Sequence, residues 1–96
     1  MTAFFVATSR IKDSEKFAEY GAKAAGTFPA FGGTLVIRGK ADQALAGHSD
    51  HQAVGVVRFP DMESLNNWYQ SNEYQALIPL REEAADMTLV SYGEIT

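Results

Sequence analysis

The 96-residue sequence contains no cysteine. That removes disulfides, thiolate nucleophiles and cysteine-based zinc sites together, and it fits a cytoplasmic chain. Histidine is scarce too: His48 and His51 stand as His-x-x-His in a polar stretch, with Asp50 between them. No carboxylate–histidine arrangement on a helix accompanies them, so no metal site is expected. Basic residues number eight against twelve acidic ones, for a net charge of −4, and they are scattered. With no basic stripe to neutralise phosphates, a nucleic-acid partner is not expected. Long apolar runs are missing as well. The opening "MTAFFVATSRIKD" has an apolar run of about five residues and no basic segment before it, so neither a signal peptide nor a membrane span is expected. There is no nucleophile elbow and no dinucleotide fingerprint. Gly32-Gly33 opens a strand rather than a helix and lacks the ending of a phosphate loop. No cofactor is expected, heme included, for want of an axial histidine on a core element. Residues 1–96 read as one domain, because either half would be too small to bury a core.

What is present is strand and helix pattern. "TAFFVATSRI" (2–11) is aromatic and β-branched and predicts a strand. Asp13 offers a helix N-cap, with Glu15 favourable in the first turn. Phe17, Tyr20, Gly21, Ala24, Ala25 and Phe28 then form one helical stripe, stopped by Pro29. Its Gly and Ala let the helix lie close against a sheet. "FGGTLVIRG" (31–39) and "HQAVGVVRF" (51–59) predict two strands joined by a long polar hairpin loop. Asp61 caps a helix whose face holds Met62, Leu65, Trp68 and Tyr69. Ser71-Asn72 breaks it, and Ser71 caps a second helix over roughly 72–84. "MTLVSYGEI" (87–95) is the last strand. The order β-α-β-β-α-β predicts an α+β, ferredoxin-like protomer: a four-stranded antiparallel sheet with both helices on one face.

That sheet has two apolar faces. A sheet wetted on one side should alternate cleanly. Here Phe4, Val6, Val36, Val54, Val56 and Val90 would all be left in water. Covering them is worth about 10 kcal/mol, before the entropy of association is subtracted. The expected cover is a second copy in a symmetric dimer, since nothing after the last strand is expected to fold back.

With that order in place, "KDSEKFAEY", "FGGTLVIRG" and "VVRFPDMESLNNWYQSNEYQALIPLR" resemble the DUF1330 family over nearly the whole chain. The likeness is most specific at Gly32, Gly33, Arg38 and Gly39, at Phe59-Pro60, and at Trp68-Tyr69-x-Ser71-x-x-Tyr74 with Arg81. The resemblance implies a ferredoxin-like protomer that pairs through its sheets as a dimeric α/β barrel. It implies no activity, because the family is defined without one. Lys40 stands where the family commonly has a glycine, and Arg58 where it commonly has an acid. If that acid had a catalytic role, this chain has lost it or uses the opposite charge.

The candidate ligand-binding set is Arg38, Trp68, Tyr69, Ser71, Tyr74 and Arg81. On spacing alone Trp68 and Tyr69 are core residues. The functional reading has Tyr69, Tyr74 and Arg81 around a small pocket near the helix break. Arg81 could hold a carboxylate bidentately, or pair with Glu82 or Glu83. Arg38 shares the parity of Val36, so it is expected at the uncovered face, paired across an interface, exposed at the rim, or anchoring an anion. Arg58 shares that parity. His51 and Tyr74 are the candidate catalytic residues, His51 as a general base near a loop–strand junction. The leading expectation is a homodimer that binds a small anionic or aromatic molecule in each protomer. Any chemistry would be cofactor-independent proton transfer or oxygenation. The alternative is a non-catalytic binding or oligomerisation module.

Overall fold

A computed structural model describes residues Met1–Ile95. Strand β1 (Ala3–Ile11) leads into helix α1 (Ser14–Ala25) and a 3-10 turn at Pro29–Phe31. Strands β2 (Thr34–Lys40) and β3 (Ala53–Phe59) form a hairpin. Helices α2 (Met62–Gln70), α3 (Asn72–Gln75) and α4 (Ile78–Ala84) precede strand β4 (Ala85–Gly93). The sheet order is β2-β3-β1-β4, every pair antiparallel. This is the ferredoxin-like order predicted from the sequence.

The helix starts follow their caps. The Asp13 carboxylate accepts from the Lys16 amide at 3.1 Å, and that of Asp61 from the Ser64 amide at 2.7 Å. The Ser64 hydrogen bonds hold the Asp61 carboxyl below the usual carboxylate range. Ser71 Oγ accepts from the Tyr74 amide at 3.2 Å and donates to the Trp68 carbonyl at 2.7 Å, so one hydroxyl ends α2 and starts α3.

Several boundaries differ from expectation: β2 starts at Thr34 rather than Phe31, which lies in the 3-10 turn, and β4 spans Ala85–Gly93 rather than 87–95. Helix α1 ends at Ala25, before Phe28, because the Thr27 hydroxyl and amide both return to the Ala24 carbonyl and close the last turn. The stretch 72–84 is two helices rather than one. Pro79 has no amide hydrogen to give the ladder, so it sits in the first turn of a fresh helix, α4.

The expected barrel does not form. Strands β2 and β4 lie at opposite edges of the sheet and do not pair with each other. Strands this few and short cannot curl through a full turn. The chain is an open, two-layer slab of 33 × 32 × 16 Å.

The core sits between the layers at one end. The Trp68 ring lies on that of Phe5, centroids 4.9 Å apart and 12° between planes, and Phe28 and Phe59 pack on it at 5.5 Å each. Trp68, Tyr74 and Phe59 are fully enclosed. Gly33 is required beside them: a Cβ there would lie 2.8 Å from the Phe59 ring and 2.9 Å from Phe28 Cβ. Helix α1 is different. Its main packing is sideways on α4, not down on a strand. The small residues that could have let it lie close instead leave it standing off the sheet.

Strand β2 carries a bulge between Leu35 and Ile37. Directly paired residues share a face, so the register assigns sides. Before the bulge Thr34 pairs with Arg58; after it Ile37 pairs with Val56 and Arg38 with Gly55. One extra residue therefore moves Ile37 to the uncovered face and Arg38 to the helical face.

Candidate functional site

Between α1 and the sheet lies an open cleft of about 960 Å³. Its floor is small: Gly55 pairs with Ala7 on β1, and Ala53 with Ser9. Its roof is α1, where Ala18, Gly21, Ala22 and Ala25 are small and Phe17 and Tyr20 are large. Space above the floor is real, since a Cβ on Gly55 or Gly21 would meet nothing within 4 Å. Phe5, Phe28, Val57 and Trp68 close the inner end. Arg38, Lys40 and Gln52 stand at the strand ends. Among the described residues the lining includes no carboxylate and no imidazole. A slot with apolar walls and a few polar groups at one end is the usual build of a small-molecule site.

Arg38 is exposed and lines this cleft, on the side opposite to that expected from simple alternation. The bulge separates it from Arg58, which stays on the uncovered face beside Phe4 and Thr34. Neither arginine makes an ion pair among the described residues.

Tyr69, Tyr74 and Arg81 come together as the sequence suggested, but with Tyr20 and inside the core. Arg81 Nη1 donates to Tyr74 Oη at 3.1 Å and to Tyr69 Oη at 3.3 Å, while Tyr74 Oη meets Tyr20 Oη at 2.7 Å. Arg81 Nη2 pairs with Glu82 at 3.3 Å. Burial opposes the Arg81 charge, yet its hydrogen bonds to Tyr69 and Tyr74 outweigh it and hold the guanidinium more firmly protonated. Burial pushes the Tyr20 hydroxyl up, Tyr74 adds to that, and Arg81 offsets only part. Tyr74 is 0% exposed, so its contribution passes through its neighbours. Tyr20 is the member of this chain that lines the cleft.

The remaining candidates divide. Trp68 is 1% exposed, walls the cleft, and donates Nε1–H to Thr27 Oγ1 at 2.8 Å. Tyr69 borders a smaller hollow of about 320 Å³ on the far side of Trp68, with Asn66, Gln70 and Ser91. Ser71 is the cap already described. His51 is placed apart: its Nδ1 lies 2.7 Å from Thr8 Oγ1, and Thr8 belongs to the face the helices leave bare. Among the described residues no three acidic or histidine side chains gather as around a metal ion, and no helix is long and apolar enough to cross a membrane.

Sequence reasoning missed Ser9, Tyr20, Gly55 and Lys40 as cleft residues. Alternation along β1 and β3 could have put Ser9 with Phe5 and Gly55 with Val57, and the stripe of α1 held Tyr20. Lys40 required knowledge of the bulge.

Residues 2–93 match the family model described as Domain of unknown function (DUF1330), and the chain belongs to that family. No curated protein matches it. Several solved structures do. A protein of unknown function from Rhodopseudomonas palustris is 18% identical with a TM-score of 0.83, over 99% of this chain and 83% of its own. A dimeric ferredoxin-like protein of unknown function from Jannaschia sp. is 12% identical, with a TM-score of 0.80 over 98% and 100%. SnoaB, a cofactor-independent oxygenase from Streptomyces nogalater, is 11% identical, with a TM-score of 0.73 over 99% and 94%. At these identities the likeness establishes the ferredoxin-like fold alone.

The tyrosine chain makes a prediction about alkali. A tyrosine whose folded pKa is raised contributes stability that is complete below about pH 10 and is lost as pH rises through the folded value. Stability should therefore fall above about pH 10. In an ultraviolet titration Tyr20 should ionise only as the chain unfolds, and Tyr20→Phe should remove that late step and flatten the alkaline loss. A Tyr20 that titrates reversibly near pH 10 in the folded protein would contradict the geometry.

Proposed function

We propose that this DUF1330 chain is a homodimeric binder of a small, largely apolar organic acid, taken up in the cleft between α1 and the sheet. The observation that carries the reading is a slot of about 960 Å³ with small-residue floor and roof and an unpaired guanidinium, Arg38, at its mouth. The apolar body enters between floor and roof, and Arg38 holds the acid group bidentately. Trp68 forms the inner wall against which the body stops.

A second reading, cofactor-independent proton transfer or oxygenation, is favoured by one feature. Arg81 polarises a run of tyrosine hydroxyls that ends at Tyr20 on the cleft wall. The activity named for SnoaB is of this class. His51, on the bare face, is not positioned to serve as its base. Binding without chemistry needs fewer groups and accounts for the cleft as it stands.

Dimerisation rests on the bare face. Ile37, Val56, Val6 and Val90 form one apolar row across all four strands, and Tyr92 stacks on Phe4 at 5.2 Å beside it. Ile37 is 64% exposed and Val90 41%. An uncovered apolar face of this kind marks an interaction surface. The same surface on a second copy is its self-complementary cover.

Two experiments test these points. In a thermal-shift screen of small carboxylates, phenols and quinones, an aromatic monocarboxylate should raise the melting temperature by several degrees. At a hundredfold excess over Kd the stabilisation is about 2.7 kcal/mol. Arg38→Met should weaken the hit by about tenfold or more without lowering the unliganded melting point. A screen without carboxylate hits would remove the reading. Sedimentation equilibrium should give a dimer at micromolar concentration and a folded monomer for Val56→Asp; a monomeric wild type would remove the dimer.

A further inference from the structure

The mouth of the cleft carries a second cation that no candidate set included. Lys40 pairs with Ala53 and Arg38 with Gly55, so both side chains rise from β2 on the helical face, two residues apart. Their Cα atoms are about 7 Å from each other along the strand. Both are exposed and both border the cleft. Neither forms an ion pair among the described residues, and none of the lining residues is acidic. The chain as a whole has a net charge of −4. Charge at the mouth is thus inverted relative to the rest of the molecule, and the protein itself leaves it unneutralised. Beyond the two cations lies a slot with no charge at all: Ala7, Ser9 and Gly55 below, Ala22 and Ala25 above.

We propose that the ligand of this cleft is an aromatic diacid, and that Lys40 is the residue that selects it over a monoacid. This deepens the binding reading above and rests on it. A flat ring system fits between the two small-residue surfaces, and two carboxylates on one edge of it reach Arg38 and Lys40 separately. Arg38 provides the bidentate clamp. Lys40, a point charge on a flexible stem, accepts the second acid without strict geometry. An occupant with one acid leaves the Lys40 charge with no partner.

The test uses naphthalene-2,3-dicarboxylate and 2-naphthoate as probes, titrated by calorimetry against the wild type, Lys40→Gln, Lys40→Arg and Arg38→Met. The wild type should bind the diacid about threefold to tenfold tighter than the monoacid, with the preference shrinking as salt is raised. Lys40→Gln should erase the preference by weakening the diacid more than 2-naphthoate, Lys40→Arg should keep it, and Arg38→Met should weaken both probes. Equal affinity of the wild type for the two probes, or a preference that survives in Lys40→Gln, overturns the role of Lys40 while leaving the cleft reading intact. Absence of saturable binding by either probe overturns both. Equal melting temperatures for the wild type and Lys40→Gln show that a lost preference is not lost folding.

Discussion

The stack of Trp68 on Phe5, met by Phe28 and Phe59, holds the two layers apart at one end of the molecule. Aromatic side chains set a wide spacing there, and the small residues at the middle of the floor do not fill it. Along α1 the cleft is lined by Ala18, Gly21, Ala22 and Ala25 together with Phe17 and Tyr20, and the middle of the floor on β1 and β3 is Ala7, Ser9, Ala53 and Gly55. Small residues on opposed surfaces bring layers together only when no larger group props them open. Here the prop is present, so α1 leans on α4 and the gap stays. The cleft follows from core packing rather than from a loop or lid.

The same packing explains why the polar residues of the core stay where they are. Trp68 Nε1 and the hydroxyls of Tyr20 and Tyr74 lie where water does not reach, and each has a partner: Thr27, Arg81 or one another. Among the described residues no buried side-chain nitrogen or oxygen lacks a hydrogen bond. An unsatisfied one would cost about 1–3 kcal/mol. Arg81 is the cation that lets three tyrosine hydroxyls share a confined space.

Much of this was legible in the sequence. The order of elements, the caps at Asp13, Asp61 and Ser71, and the family followed from pattern and from motif. So did the excess of apolar strand surface, since Val6, Val56 and Val90 alternate with residues that also face a core. Three things were not legible. A β-bulge has no reliable signature in "GTLVIRG", and one extra residue reverses every side chain after it, so Arg38 was assigned to the wrong face. Whether an Ala/Gly helix lies close to a sheet depends on what props the layers, and Trp68 does so from an element distant in sequence. The dimeric α/β barrel was inferred from family likeness, and the sheet is open, its edge strands β2 and β4 not meeting.

An open slot walled by the sole tryptophan, Trp68, is the core of this account, and filling it tests it most directly. Trp68 fluorescence should be quenched saturably by 2-naphthoate in the wild type. Gly55→Leu places a side chain where a Cβ meets nothing within 4 Å, so it should abolish the quenching with a melting temperature at or above that of the wild type. A Gly55→Leu protein that melts well below the wild type, or that is quenched as fully, would show that the space is not there.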